Sequence, residues 1–137
     1  MRNKLFKGSL KGSIKDITSF INEDNPNKTL LIFEGFMDFL SLFTAKNLTK
    51  HTDLKDDVII LNSLSMLDQT IEFINNNKDF YTTIKLYLDN DNAGRQAMNK
   101  IMFHIDNIQI LDMSCEYKGF KDLNEGVLST TTAIIII

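Results

Sequence analysis

With 137 residues, 43% hydrophobic and 24% charged, the chain is long enough for one domain with a substantial core and has the balance of an ordinary globular protein. A single cysteine, Cys115, excludes an internal disulfide and any cysteine-based zinc site within one chain, which leaves packing as its expected role. The net charge of −3 hides an asymmetry: Arg2, Lys4, Lys7, Lys11 and Lys15 stand without an acid in residues 1–15, while the remaining 10 basic and 18 acidic side chains give −8. A basic arm beside an acidic body fits contact with nucleic-acid phosphates while a divalent metal is held elsewhere; a solvated tail fits the charge equally well. No sustained apolar run follows the basic start, so neither a signal peptide nor a membrane anchor is expected, and the default compartment is cytoplasmic. His51 and His104 lack motif spacing and are expected to be structural or solvated.

In chain order, Gly8, Gly12 and their serines argue against an opening helix, so a loop or short hairpin leads into a strand near Ile17 to Ile21. Asn22 to Lys28, with the only proline, reads as a polar turn. Leu30 to Phe33 is a short apolar run ending at Glu34-Gly35, and Phe36, Phe39, Leu40, Phe43 and Ala45 then mark a helix that stops by Asn47. After a polar connection over Thr49 to Asp57, Val58 to Leu61 is a second apolar run, and Asn62 or Ser63 can cap the next segment. Met66, Leu67, Thr70, Ile71, Phe73 and Ile74 predict a second helix, stopped by Asn75-Asn76-Asn77. Ile84, Leu86 and Leu88 predict a third strand; Asn92-Ala93-Gly94 turns the chain, and Arg95 to His104 has helical spacing. Ile108 to Leu111 is a fourth strand, followed by a polar loop and Lys121-Asp122-Leu123-Asn124-Glu125. The final STTTAIIII is either an edge strand or a chain end that is not a natural boundary.

Strand starts near Leu30, Val58, Ile84 and Ile108 recur at the length a right-handed β-α-β crossover needs, which predicts a mainly parallel sheet with helices on both faces. Ligands in such folds sit at the carboxyl ends of strands. Glu34 ends the first of these strands and Asp89 and Asp91 the third, so neighbouring strands would bring the three acids together. Carboxylates that close repel by about 3 kcal/mol per pair at ~5 Å and an effective dielectric of ~20, a strain relieved by a cation such as Mg²⁺ or by keeping one acid protonated. The bland alternative for Asp89 and Asp91 is a solvated turn, and for Asp38, four residues after Glu34, helix capping or solvation. An EF-hand starting at Asp89 is rejected because position 12 is Lys100 in place of the bidentate Glu. Glycine-rich G-x-G-x-x-G and Walker-type loops are absent. A haloacid-dehalogenase-type site would need its acidic pair on the first strand, and a response-regulator receiver an acidic pair there plus a downstream lysine.

Three stretches, EGFMD at 34–38, LDNDNAGR at 88–95 and KDLNE at 121–125, resemble the signature motifs of the Toprim domain, most closely that of DnaG-type bacterial primases and primase-like proteins of bacterial mobile elements. The resemblance spans about Leu30 to Val127, and RNKLFKGSLKGS resembles the segment preceding Toprim in the mobile-element group. It implies an α/β, Rossmann-like sheet of four to five strands, organised as a basic arm over 1–28, a Toprim catalytic domain over 29–128 and a tail over 129–137. It implies Glu34 as a general acid or base that also lies near metal, Asp89 and Asp91 as Mg²⁺ ligands (with Mn²⁺ as a substitute), and Asp38 and Asp122 as acids holding further metal ions. Gly35 and Gly94 correspond to the glycines of two tight strand-to-helix turns, and Arg95 to a basic position suited to a phosphate contact or a structural role. Lys7, Lys11, Lys15 and Lys121 are candidate contacts for template or nucleotide phosphates.

The implied activity is primer synthesis, condensing ribonucleotides on single-stranded DNA during replication, with other replication proteins as further partners. Two departures bear on it. Asn124 stands where primases carry a second aspartate in the third motif, and the zinc-binding module and basic subdomain that precede Toprim in primases have no counterpart here. The competing readings are a Toprim nuclease using the same acids, and a non-catalytic Toprim module binding DNA or replication proteins. A topoisomerase role is disfavoured because Tyr81, Tyr87 and Tyr117 read as strand or loop residues.

Overall fold

A computed structural model describes residues 17–47 and 54–136. Five strands form one sheet in the order β1-β3-β2-β4-β5: β1 (Thr18–Phe20), β2 (Thr29–Phe33), β3 (Asp57–Ile60), β4 (Thr83–Tyr87) and β5 (Gln109–Asp112). β2, β3, β4 and β5 are parallel, and only β1 runs antiparallel, along the outer side of β3. The mainly parallel α/β sheet expected from the strand spacing is what the chain builds, and the strand near Ile17 to Ile21 is its antiparallel edge.

β2 is central because all five of its side chains are apolar or small enough to be buried on both faces, TLLIF. Leu30 and Ile32 project into a core with Leu67, Ile71 and Ile74 of α2 (Leu67–Asn76) and Ala97 and Ile101 of α3 (Asn92–His104). Leu31 and Phe33 project the other way, into a core with Phe39 and Leu42 of α1 (Phe36–Ala45) and Leu123 of α4 (Leu123–Ile136). The period-2 alternation of the strand thus allots one helix pair to each face. Among the described residues, no helix is long and apolar enough to cross a membrane.

Three local expectations need correction. Asn92-Ala93-Gly94 does not precede α3 but forms its first turn, because Asp91 caps the helix by accepting the Gly94 N–H at 2.8 Å. Residues 129–136 belong to α4 and not to an edge strand. Cys115 is exposed, since the 3₁₀ turn Met113–Tyr117 directs Ser114 and Tyr117 inward and leaves the thiol outside. Between Asn62 and Ser63 the cap is Ser63, whose Oγ accepts the Ser65 N–H; Asn62 adopts φ 62 and donates to Thr18 Oγ1.

Candidate metal centre

From β2 the chain moves outward to β3, then crosses back to place β4 on the other side of β2. The connections leaving β2 and β4 therefore diverge to opposite faces, α1 to one and α3 to the other, which opens a crevice at the carboxyl ends of these two strands. Phe33 is in register with Tyr87, so Glu34 and Asp89 emerge side by side. The Glu34 N–H donates to Tyr87 O at 3.2 Å, and Glu34 Oε1 accepts the Asp89 N–H at 2.9 Å. Glu34 is thus held across the crevice against the start of the next turn.

Three helix N-termini deliver the remaining acids, Asp91 being the cap of α3. Asp38 lies in the first turn of α1, only 4% exposed, and accepts the Asn124 N–H at 3.0 Å as well as the Gly35 N–H. Asp122 caps α4, its Oδ1 accepting the Glu125 N–H at 2.8 Å. One carboxylate oxygen from each of Asp38, Asp89 and Asp122 lies within 4.8 Å of the others. Asp91, exposed and turned to the Gly94 N–H, stands outside this trio, as does Glu34, yet each is close enough to raise the other acids' proton affinity. All five acids expected from the sequence are on one rim of the sheet; the trio gathers Asp38, Asp89 and Asp122.

The electrostatics arise from burial and crowding. Asp89 is pushed up to about 7, first by burial and then by the charges of Glu34, Asp38, Asp122 and Asp91. Asp38 is pushed up to about 6, again first by burial, with Asp122 and Glu34 adding and the two backbone N–H groups opposing. Burial also raises Glu34, Asp91 adds to it, and the Asp89 N–H and Lys121 partly offset both. Hard oxygen donors in this number fit a divalent cation: ligands ~2.1 Å from Mg²⁺ lie roughly 3–4 Å apart, a spacing the trio reaches with little movement.

The turn after β4 is built to a tight tolerance. A Cβ on Gly94 would lie 2.1 Å from Asp89 O, so the first turn of α3 can pack on the backbone of Asp89 only without a side chain. Gly35 is different: its φ of −127 is open to any residue, and an added Cβ would meet only Asp38 Oδ2 at 3.5 Å. Of the two glycines, steric demand explains Gly94 alone.

Asn90, which sequence reasoning passed over, braces the whole arrangement. Its N–H donates to Lys121 O at 2.6 Å, its Nδ2 donates to Phe120 O and Tyr117 O, and its Oδ1 accepts from Arg95 at 2.6 Å. Tyr117 adds a bond from its hydroxyl to Leu88 O at 2.6 Å. The residue between Asp89 and Asp91 thereby fixes the segment that carries Asp122. Its only signal in the sequence was an amide, with two donors and an acceptor, enclosed by two acids of a motif.

Arg95 points away from the trio: it pairs with Asp112 Oδ2 at 3.1 Å and also donates to Ser114 and Asn90. Lys121 is exposed, and its charge reaches Glu34. The Asn124 side chain accepts from Ser41 Oγ at 2.8 Å across the α1–α4 contact. Tyr81, Tyr87 and Tyr117 are buried. Lys7, Lys11, Lys15 and His51 lie outside the described residues.

A family profile described as Toprim-like matches residues 31–127. No curated protein matches. Among solved structures, the primase fragment of the bacteriophage T7 primase-helicase protein aligns at 20% identity and a TM-score of 0.58, over 79% of this chain and 41% of that one. A structure of the bacteriophage T7 lagging-strand DNA polymerase interacting with primase domains bound to an RNA/DNA hybrid and dTTP aligns at 20% identity and a TM-score of 0.56, over 79% of this chain and 51% of that one. The chain therefore spans about half or less of the length of these structures, with which it shares a fold.

Proposed function

The chain belongs to the Toprim-like family, and on that premise we propose that it is a divalent-metal-dependent nucleotidyltransferase of the primase type, joining nucleotides on single-stranded DNA in replication. The observation that carries this reading is the convergence of Asp38, Asp89 and Asp122 within 4.8 Å at the crevice between β2 and β4. Asp38, Asp89 and Asp122 would hold Mg²⁺ or Mn²⁺, with Asp91 and Glu34 completing its surroundings. When bound, such an ion activates an attacking hydroxyl and stabilises the leaving pyrophosphate.

The chain's own groups supply the rest. Glu34 would take the proton of a 3′-hydroxyl presented beside Asp89, a role supported by its raised proton affinity and by the bond it accepts from the Asp89 N–H. Asn90 and Gly94 keep the Asp89 turn from moving relative to Asp122. Lys121 and the arm lysines Lys7, Lys11 and Lys15 would meet nucleotide and template phosphates, whereas Arg95, held by Asp112, Ser114 and Asn90, would serve the structural role.

The test is primer synthesis from ribonucleotides on single-stranded DNA with Mg²⁺ and with Mn²⁺, comparing the chain with Asp89→Ala and Glu34→Gln. The expected result is synthesis that both substitutions abolish. Metal-dependent cleavage of the DNA without synthesis would replace this reading with a nuclease. Neither activity, with DNA or protein binding retained, would replace it with a non-catalytic module.

A further inference from the structure

The guanidinium of Arg95, in the first turn of α3, joins three segments of the chain. It donates from Nη2 to Asn90 Oδ1 at 2.6 Å, and from Nη1 to Asp112 Oδ2 at 3.1 Å and Ser114 Oγ at 3.2 Å. Asp112, at the end of β5, divides its carboxylate: its other oxygen accepts the Ser114 N–H at 2.9 Å and caps the turn Met113–Tyr117. The two side chains of the pair are 46% and 31% exposed, and ion pairs so open to water add little to stability. What Arg95 does fix is the Asn90 amide. An amide between a cation on one side and carbonyls on the other is satisfied in only one of its two orientations. With Arg95 donating to Oδ1, Nδ2 faces Phe120 O at 2.9 Å and Tyr117 O at 3.3 Å. Turned over, the amide would set its NH₂ against the guanidinium and its oxygen against two carbonyls.

We propose that Arg95 is a positioning residue for the metal site, acting through Asn90 on the spacing between Asp89 and Asp122. The path is short. Arg95 orients the amide, the amide holds the carbonyls of Tyr117 and Phe120, and the Asn90 N–H holds Lys121 O at 2.6 Å, one residue before Asp122. Asn90 itself follows Asp89, so a single residue spans two members of the trio, and Arg95 sets how that residue faces. The brace works against a load, because the charges of Asp122 and Asp89 repel. A planar fork that reaches three acceptors at once is what this place needs, and a lysine ammonium cannot supply it. Asp112 is the anchor that keeps the fork aimed. The consequence for metal rests on the metal-site reading above, whereas the bracing itself can be tested without metal.

Two measurements on the full chain test it. In EDTA, Arg95→Met should speed amide exchange at Asn90 and Glu125, whose N–H groups bond to Lys121 O and Asp122 Oδ1, by about 10-fold or more, while the amides of β2 exchange as before. In Mn²⁺ titrations by calorimetry, Arg95→Met and Asn90→Ala should each weaken binding about 10-fold, and the double variant no further, since the two residues act in series. Asp112→Asn, which keeps an acceptor for the Ser114 N–H but removes the charge that aims Arg95, should move both readings the same way by less. Losses that multiply to about 100-fold in the double variant overturn the proposal. So does unchanged exchange at Asn90, or exchange in β2 that quickens as much as at Asn90, which would make Arg95 a stability residue only. If the unsubstituted chain binds no Mn²⁺, the metal-site reading fails by itself, and exchange in EDTA still decides whether Arg95 braces the two segments.

Discussion

Asp57 begins β3 at the amino-terminal edge of the sheet, and Asp89 follows β4 at the carboxyl-terminal edge. Asp57 is wholly buried, yet its carboxylate accepts the Asn22 N–H at 2.8 Å and the Tyr81 hydroxyl, and Asn22 is itself anchored to Asp56 O. Asp89, less buried, faces Glu34, Asp38, Asp122 and Asp91. One carboxylate is provided with donors and closes the fold; the other is crowded with its own kind and weakens the fold until something positive joins it. The difference separates an acid whose partners lie within the fold from acids left facing one another at its rim, as the proposed metal site requires.

The contrast is tested most sharply at Asp89 itself. Asp89→Asn should weaken Mn²⁺ binding at least ~100-fold by calorimetry while leaving the melting temperature in EDTA unchanged or raised, because a repelling charge is gone. A clear fall in that melting temperature would mean that Asp89 is structural after all. Asp57→Ala should do the reverse: about 3 kcal/mol of stability lost in urea unfolding, from two stranded donors, with Mn²⁺ affinity intact below the transition. Asn90→Ala, which breaks the brace but removes no acid, is expected to cost about 10-fold in Mn²⁺ affinity with a small change in melting temperature. Wild-type affinity in that variant would show that the Tyr117 to Lys121 segment holds its place unaided.

The smallest effect is the pH response. Free of cation, Asp89 at about 7 and Asp38 at about 6 bind protons more tightly folded than unfolded, where they titrate near 3.8. Their contribution favours the fold at low pH and is lost as pH climbs from about 4 through 7. In EDTA the melting temperature should therefore drift down between pH 5.5 and 8, less so in Asp89→Asn, whereas Mg²⁺ should flatten or reverse the drift because its affinity grows as protons leave. Identical slopes for the two proteins in EDTA would remove the basis for the raised Asp89.

The parts of this arrangement that repeat were legible in the sequence. Apolar stretches at nearly constant spacing named β2 to β5, and the ends of β2 and β4 named Glu34, Asp89 and Asp91, whereas Asp38 and Asp122 were named by the motif resemblance. The hidden parts were set by contacts across the chain. α4 was concealed by its β-branched Ser129-Thr-Thr-Thr composition, although Asp122-x-x-Glu125 is a helix-start signature that was there to be read. The partition of Asp89 and Asp91 was concealed because a D-x-D pattern does not say which member caps the next helix. Asn90 could not be recognised at all without Tyr117, Phe120 and Lys121 beside it.

Asp122 and the backbone N–H received by Asp38 both come from the start of the last helix, while Asp38 itself comes from the first. The first and last helices must therefore meet before the three acids come together, and a cation engaging all three would act as a clasp between them. Amide exchange in the opening turn of that helix should slow when the ion is added, making metal occupancy readable as tightness at the seam where the chain closes on itself.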